Sequence, residues 1–254
     1  MNAAGHQLFA RVAWDGLNEK ARKAVQSLVQ NPNNPTVGAP TSARDNDVFT
    51  YTTYMDNIRP QLSDKHFVNI PLEGSGTLPP GENSVTFQKS LTDRLADPKA
   101  SADQKAEALR LAGHLAGDIA NPLHNADRGD RGGNSLKLNG KESLHSYWDS
   151  GGGQWKNDAT PSQFADQAVS IMRSYPRKVY NQRQLEEFDS SKWSREGWQL
   201  AKTDVYPGVT AGTKPNPKYA DNTRKTMDSQ IALAGYRWAN QLNLVFGAGN
   251  PTSK

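Results

Sequence analysis

The chain has 254 residues, no cysteine and a formal net charge of +4 at pH 7. Without cysteine it can hold neither a disulfide framework nor thiolate metal ligands, and no apolar run approaches the roughly 20 residues that a membrane span needs. The positive charge is spread rather than clustered, which favours polyanionic partners only mildly, and the length fits one large domain or two small ones.

Taken in chain order, residues 15–30 place Leu17, Ala21, Val25, Leu28 and Val29 at helical spacing. Residues 31–47 and 71–100 are rich in Pro, Gly, Asn and Ser and predict surface loops. Residues 101–120 predict a helix. It opens with a capping box, Ser101 with Gln104, lines one face with Leu109, Ala112, Ala116 and Ile119, and stops before Pro122. Residues 134–139 offer at most a short strand pair, and a short helix follows over Leu144 to Asp149. A helix over 162–175 ends at Pro176, and a third loop covers 207–222. A long helix over 226–246 then carries the core stripe Ile231, Ala234, Trp238, Leu242 and Val245 before Gly247. No loop divides the chain into compositionally different halves. The pattern predicts an all-α, single-domain, bundle-like fold over 1–254, with long loops and at most a short hairpin.

Histidine is scarce, and each copy stands where a metal ligand could be. His114 and Asp118 are four residues apart, as are His145 and Asp149. On a helix such pairs share a face, about 5–6 Å apart at Cβ, close enough to grip one ion. Either pair alone reads as an ordinary surface salt bridge. Together, with His66 after Asp56, His124 after Asp118 and His6 near the start, they predict a multinuclear site of imidazoles and carboxylates. Gly113 and Gly117 stand beside these candidates at a helix-interior cost of roughly 1 kcal/mol each, explained by close helix packing, by room for ligands, or by both.

The segment GHLAGDIANPLH, the run RGGN at 131–134 and the segment LHSYWD resemble the zinc-dependent single-strand nuclease family, the nuclease S-one and P-one type, which is related to the zinc phospholipases C. The opening MNAAGHQLFARVA is similar to that family's Trp-Gly-x-x-Gly-His-x-x-x-Ala. The segment YMDNIRPQLSDKHFVNIPL is similar to its Trp-Ala-Asp-x-x-Arg and the His-Phe/Tyr-x-Asp/Asn that follows. SQIALAGYRWANQLN is similar to its closing helix. These segments follow the family's order over nearly the whole chain.

The resemblance implies three Zn2+ ions. One would take Asp56, His66, His114 and Asp118. A second would take the amino and carbonyl groups of Met1, His6 and the other oxygen of Asp118, and a third His124, His145 and Asp149. Two ions sharing Asp118 can also share a water and lower its pKa towards neutrality. The resulting bridging hydroxide would attack a phosphodiester in line, release the 3′ oxygen and leave a 5′-phosphate. Asp56, Arg59 and Asp118 are the catalytic candidates, with Arg59 holding the phosphate. Phe67, Asn69 and Asn134 are the substrate-binding candidates: Phe67 would stack a base, and Asn69, where relatives use Asp, would read a base edge. Arg59 also fits a surface ion pair, and Phe67 a core aromatic.

The expected partners are single-stranded DNA and RNA and nucleotides, with no membrane, and the expected state is a monomer. The residues after Met1 show no charged and apolar leader pattern, and His6 as a ligand predicts a mature secreted or periplasmic chain from which a leader has been removed, the alternative being a cytosolic chain. Two residues depart from the family pattern: Met1 stands in place of Trp, and Ala120 in place of a histidine. The rival readings are a zinc phospholipase C, which typically has Glu where Asp149 stands, and a non-catalytic zinc-stabilised nucleic-acid binder. The latter would close its sites with four protein ligands, whereas the third site here has three.

Overall fold

The computed structural model describes residues 1–31, 47–58 and 62–247, and among these the chain is all-α with four two-residue strand pieces. Helix α1 (Ala3–Asp15) starts under the Asn2 side chain, which accepts from the Gly5 amide at 2.9 Å. Helix α2 (Glu19–Val29) starts the same way under Asn18. The helix expected over 15–30 is thus α2, starting four residues later than expected because Asn18 caps it, while Asp15 closes the preceding helix α1. The expected loop over 31–47 lies almost wholly outside the described residues.

A 3₁₀ turn (Tyr51–Thr53) runs directly into the single-turn helix α3 (Tyr54–Asn57). Helix α4 (Ser84–Ala96) overturns the loop expected over 71–100. Asn83 and Thr86 close a capping box, and Val85, Gln88, Leu91 and Leu95 recur at helical spacing behind the Pro- and Gly-rich run. Helix α5 (Ala102–Ala120) has the expected Ser101–Gln104 capping box. It does not stay amphipathic: every residue from Ala108 to Ala120 is buried. Helices α1, α2 and α4 pack on it, as do two downstream helices, α9 (Ser190–Leu200) and α10 (Pro217–Leu242). A helix buried on all sides is the central element of the fold, not a surface one.

After α5 the chain makes a 3₁₀ turn (Pro122–His124) and a parallel pairing of β1 (Ile70–Pro71) with β2 (Ala126–Asp127). The hairpin β3 (Lys137–Leu138) with β4 (Glu142–Ser143) turns at Asn139–Gly140, so the strand pair expected within 134–139 is only its first half. Helix α6 (Leu144–Asp149) follows directly, capped by Ser143. Helices α7 (Pro161–Ser174) and α8 (Gln182–Leu185) lead to α9. Helix α10 begins at Pro217, nine residues before the expected start, under an Asn216 cap with proline in the first turn. Its last residues pass into a wider π turn (Asn243–Gly247).

One apolar cluster runs from Met1 to Leu242, and Trp148, Trp155 and Trp238 are among its fully buried side chains. Hydrogen bonds inside it hold the elements that carry the histidines. Trp148 Nε1 donates to Tyr219 Oη at 2.8 Å, and Tyr219 donates to the Val205 carbonyl, which ties α6 to α10. Trp238 Nε1 donates to Tyr51 Oη at 2.9 Å, which ties α10 to the turn before α3. Among the described residues no helix is long and apolar enough to cross a membrane.

Candidate metal centre

Five backbone segments meet at the C-terminal half of α5. This helix supplies His114 and Asp118 one turn apart, and α1 brings His6 and, at its start, Met1. Helix α3 brings Asp56, α6 brings His145 and Asp149, and the turn before β1 brings His66 beside His124. Three backbone hydrogen bonds lace those last two segments together: the Val68 amide donates to the His124 carbonyl, Ile70 to that of Asn125 and Leu72 to that of Asp127, at 2.8–2.9 Å. The Asn2 amide donates to the Asp149 carbonyl at 3.1 Å and locks the chain start onto α6.

The ligand atoms fall into three sets, each with its members within 4.8 Å of one another: His6, His114 and Asp118; Asp56, His66 and His114; and His124, His145 and Asp149. Asp118 joins them. Its Oδ1 lies 2.6 Å from the Met1 amine and 3.2 Å from His6 Nε2, while its Oδ2 lies 3.0 Å from both His66 Nδ1 and His114 Nε2. One oxygen faces each group, the placement a bridging carboxylate needs. In the third set His124 Nε2 and His145 Nε2 each lie 3.3 Å from an Asp149 oxygen. Metal–ligand bonds of about 2.0–2.2 Å in a tetrahedron put neighbouring donors about 3.3–3.6 Å apart; the His–Asp149 distances of the third set are 3.3 Å, while those to Asp118 are shorter, at 2.6–3.2 Å, and His114 to Asp56 is longer, at 4.0 Å. The sequence assigned His114 to one set only. In the fold it lies within reach of the donors of two sets, with its ring stacked on His6 at 4.0 Å between centroids, but its one free nitrogen can bind a single ion.

Ring orientation and electrostatics also suit a metal. His114, His124 and His145 each donate Nδ1–H to a carbonyl, of Thr52, His66 and Gly132, at 2.7–2.8 Å. That fixes the tautomer and leaves Nε2 as the free donor atom in all three. Both ring nitrogens of His6, and Nε2 of His66, are buried with no hydrogen-bond partner, orphans that a metal ion would satisfy. Burial pushes His6 down to about 3, helped by His114 and the amine, and burial also lowers His66 and His145. For His114 burial is outweighed by Asp118, and its value is raised. Burial opposes ionisation of Asp118 and Asp149 as well. Attraction to the neighbouring groups prevails, the His124 imidazole and the amine at Asp118 and the amine and the His145 imidazole at Asp149, and both carboxyls stay well below the usual range. The Met1 amine is raised to about 10: burial disfavours its charge, but Asp118 and Asp149 more than compensate. It is an ammonium paired with Asp118 here, and coordination would release its proton.

The glycines beside the ligands are explained by both reasons the sequence offered. A β carbon on Gly117 would come 2.7 Å from Met1 Cε and 2.9 Å from His6 Nδ1, and one on Gly113 would come 2.7 Å from the Tyr51 ring. Three supporting residues escaped the sequence. Asn121 donates to Asp149 Oδ1 at 2.6 Å, Thr52 supplies the carbonyl for His114, and Gly132 supplies the carbonyl for His145. An Asn before Pro122 was a legible cap signal, but its second partner is 28 residues away. Ala120, the other departure, is buried against α9 and α10 beside Trp193 and Arg237, away from the ligand sets.

A cavity of about 470 Å³ opens over His66, His124 and His145, and its walls include Phe67, Asn69, Asn134, Asp64, Asp127 and Arg131. Phe67 is half-buried and faces this cavity, while Asn69 holds a left-handed backbone at φ +51°. Arg59 lies outside the described residues. A larger hollow of about 840 Å³, lined by Gln7, Arg11, Phe49 and Phe164, contains none of the ligand candidates, so the chemistry favours the smaller one.

Across residues 2–247 the chain matches the family model described as S1/P1 nuclease. It is 25% identical over 270 residues to Endonuclease 2 of Arabidopsis thaliana, spanning 96% of this chain and 89% of that protein. It is 28% identical over 184 residues to Nuclease P1 of Penicillium citrinum, spanning 65% and 67%, and 29% identical over 153 residues to Endonuclease 3 of Arabidopsis thaliana, spanning 56% and 52%.

Proposed function

Because the chain belongs to the S1/P1 nuclease family, we propose that it is a zinc-dependent phosphodiesterase that hydrolyses single-stranded DNA and RNA to products with a 5′-phosphate, and 3′-mononucleotides to nucleoside and inorganic phosphate. It acts as one nuclease domain over 1–254, as a secreted or periplasmic monomer. The observation that carries the reading is Asp118, one buried carboxylate with its two oxygens turned to two different histidine groups.

Three Zn2+ fit the donors present. Asp56, His66, His114 and Asp118 would hold the first, Met1, His6 and Asp118 the second, and His124, His145 and Asp149 the third. When bound, such ions supply Lewis-acid activation of water and of the phosphate. The protein's own contribution is orientation. The Thr52, His66 and Gly132 carbonyls hold three imidazoles in the donor tautomer. Asp56, with its side chain 34% exposed, brings the first ion's donors to the edge of solvent. Arg59 is assigned the scissile phosphate. Phe67 offers a ring face to a base, Asn69 an amide that both donates and accepts at its edge, and Asn134 a second polar contact.

The test is digestion by zinc-loaded protein of single-stranded DNA, RNA and phosphatidylcholine vesicles in parallel. We expect polynucleotide cleavage with 5′-phosphate ends, abolished by EDTA, and three zinc ions per chain by elemental analysis. Lipid hydrolysis alone, or zinc-replete protein that binds polynucleotides without cutting them, overturns the proposal.

A further inference from the structure

Among the described residues that line the ligand-bearing cavity, Arg131 is the one arginine or lysine. It sits on the turn between β2 and β3, and this turn is built with unusual rigidity. Asp127 Oδ1 accepts from the amides of Gly129, Asp130 and Gly132, all at 3.0 Å, and Asp130 Oδ1 accepts from Gly133 at 2.8 Å and from Tyr206 at 2.9 Å. Three consecutive residues are left-handed: Arg131 at φ +61°, Gly132 at +59° and Gly133 at +81°. A β carbon on Gly132 would lie 2.6 Å from the Leu123 carbonyl oxygen, so only glycine fits there. The Gly132 carbonyl in turn accepts from His145 Nδ1. The turn that orients a ligand histidine thus also fixes the backbone of Arg131, in a conformation that costs energy for any residue with a side chain.

The charge at this position is not neutralised from within. No hydrogen bond or ion pair engages the Arg131 guanidinium among the described residues. The two carboxylates that share the cavity are otherwise employed: Asp64 pairs with Lys65 at 2.9 Å, and Asp127 caps the turn. Neighbouring Arg128 stacks over Tyr206 instead, 4.4 Å from the ring centre. Arg131 is exposed while His66 and His124 beneath it are buried, which puts it at the mouth of the cavity.

We propose that Arg131 is a specificity-determining residue that binds a phosphate flanking the scissile one, so that a strand is held better than a minimal substrate. This rests on the nuclease reading above. A guanidinium offers five donors in a planar fork that matches phosphate oxygens two at a time. The scissile phosphate belongs over the buried ligand floor, and the next phosphate along the strand leaves through the mouth, where Arg131 stands.

The test compares, on the zinc-loaded enzyme, dinucleoside monophosphates with the same compounds carrying one more terminal phosphate at either end. Wild type should favour one phosphorylated form by about tenfold in KM, the scale of one charge-assisted pair. An uncharged methylphosphonate ester in place of the added phosphate should remove that preference, a readout that needs no variant. Arg131→Asn, chosen because asparagine tolerates left-handed backbone, should lose most of the preference. With a phosphorothioate oligonucleotide, the same variant should lower the slope of log affinity against log salt by about 0.7. The inference is overturned if wild type cleaves every compound without preference or if Arg131→Asn keeps the full preference. It is equally overturned if the variant weakens both substrates by one factor, or if the preference follows a guanine base and not the phosphate. If wild type cleaves none of them, the nuclease reading itself falls.

Discussion

Replacing Gly117 by alanine separates metal binding from folding. The added β carbon would lie 2.9 Å from His6 Nδ1 and 2.7 Å from Met1 Cε. The methionine tip can swing aside. The His6 ring cannot do so freely, since it is fully buried and stacked on His114. Relieving the clash to an ordinary contact of about 3.5 Å moves the ring by about 0.6 Å. A metal site tolerates only about ±0.2 Å in its bond lengths, so one ion loses a ligand. The metal-free fold gains about 1 kcal/mol of helix propensity and loses about 1–3 kcal/mol to overpacking, and should change by no more than about 2 kcal/mol. Zinc affinity at that ion should drop about 10–100-fold, which at saturating zinc removes about 1.4–2.7 kcal/mol of zinc-linked stability. Elemental analysis after dialysis against buffered zinc, with melting curves in zinc and in EDTA, reads both effects. Wild-type stoichiometry together with a wild-type rise in Tm on adding zinc would refute the argument that His6 is a ligand held against Gly117.

Three further substitutions probe other parts of the reasoning. Asp118→Asn keeps shape but removes the charge facing both histidine groups, and should cut polynucleotide hydrolysis by at least about 10³-fold and lower zinc content; near-normal turnover contradicts a bridging role. Asn121→Ala removes the donor to Asp149 Oδ1 and should weaken zinc binding about 10–100-fold while circular dichroism stays helical; unchanged affinity at the weakest site would count against it. Asp228, which accepts from Gln154 and Trp155, is raised to about 6 by burial. Its folded value lies above its unfolded one, so its stabilising contribution is present below about pH 4 and lost as pH rises through 6. Asp228→Asn should therefore be more stable than wild type by about 1–2 kcal/mol at pH 7.5, after discounting for partial exposure, and equal to it at pH 4. Denaturant titrations at both pH values that show the same difference would disprove this.

What the sequence determined by itself depends on short separations along the chain. The Ser101–Gln104 box, the stop before Pro122 and the His114–Asp118 and His145–Asp149 pairs are local, because one helical turn already brings residues four apart onto one face. The nuclease family was legible for the same reason, since its motifs are short runs in fixed order. Where local signals competed, the periodicity of α4 was hidden behind a polar, glycine-rich lead-in, and the Asn18 cap moved the start of α2 four residues beyond the expected one. Only the tertiary structure decided which oxygen of Asp118 faces which histidine, that His114 lies between two sets, and that the Thr52, His66 and Gly132 carbonyls choose the imidazole tautomers. It also decided that the turn holding His145 places Arg131 at the cavity mouth. Those relations join residues 13 to 117 positions apart, and a distance across a packed core is set by how the helices bury their faces against one another, which no window of the sequence contains.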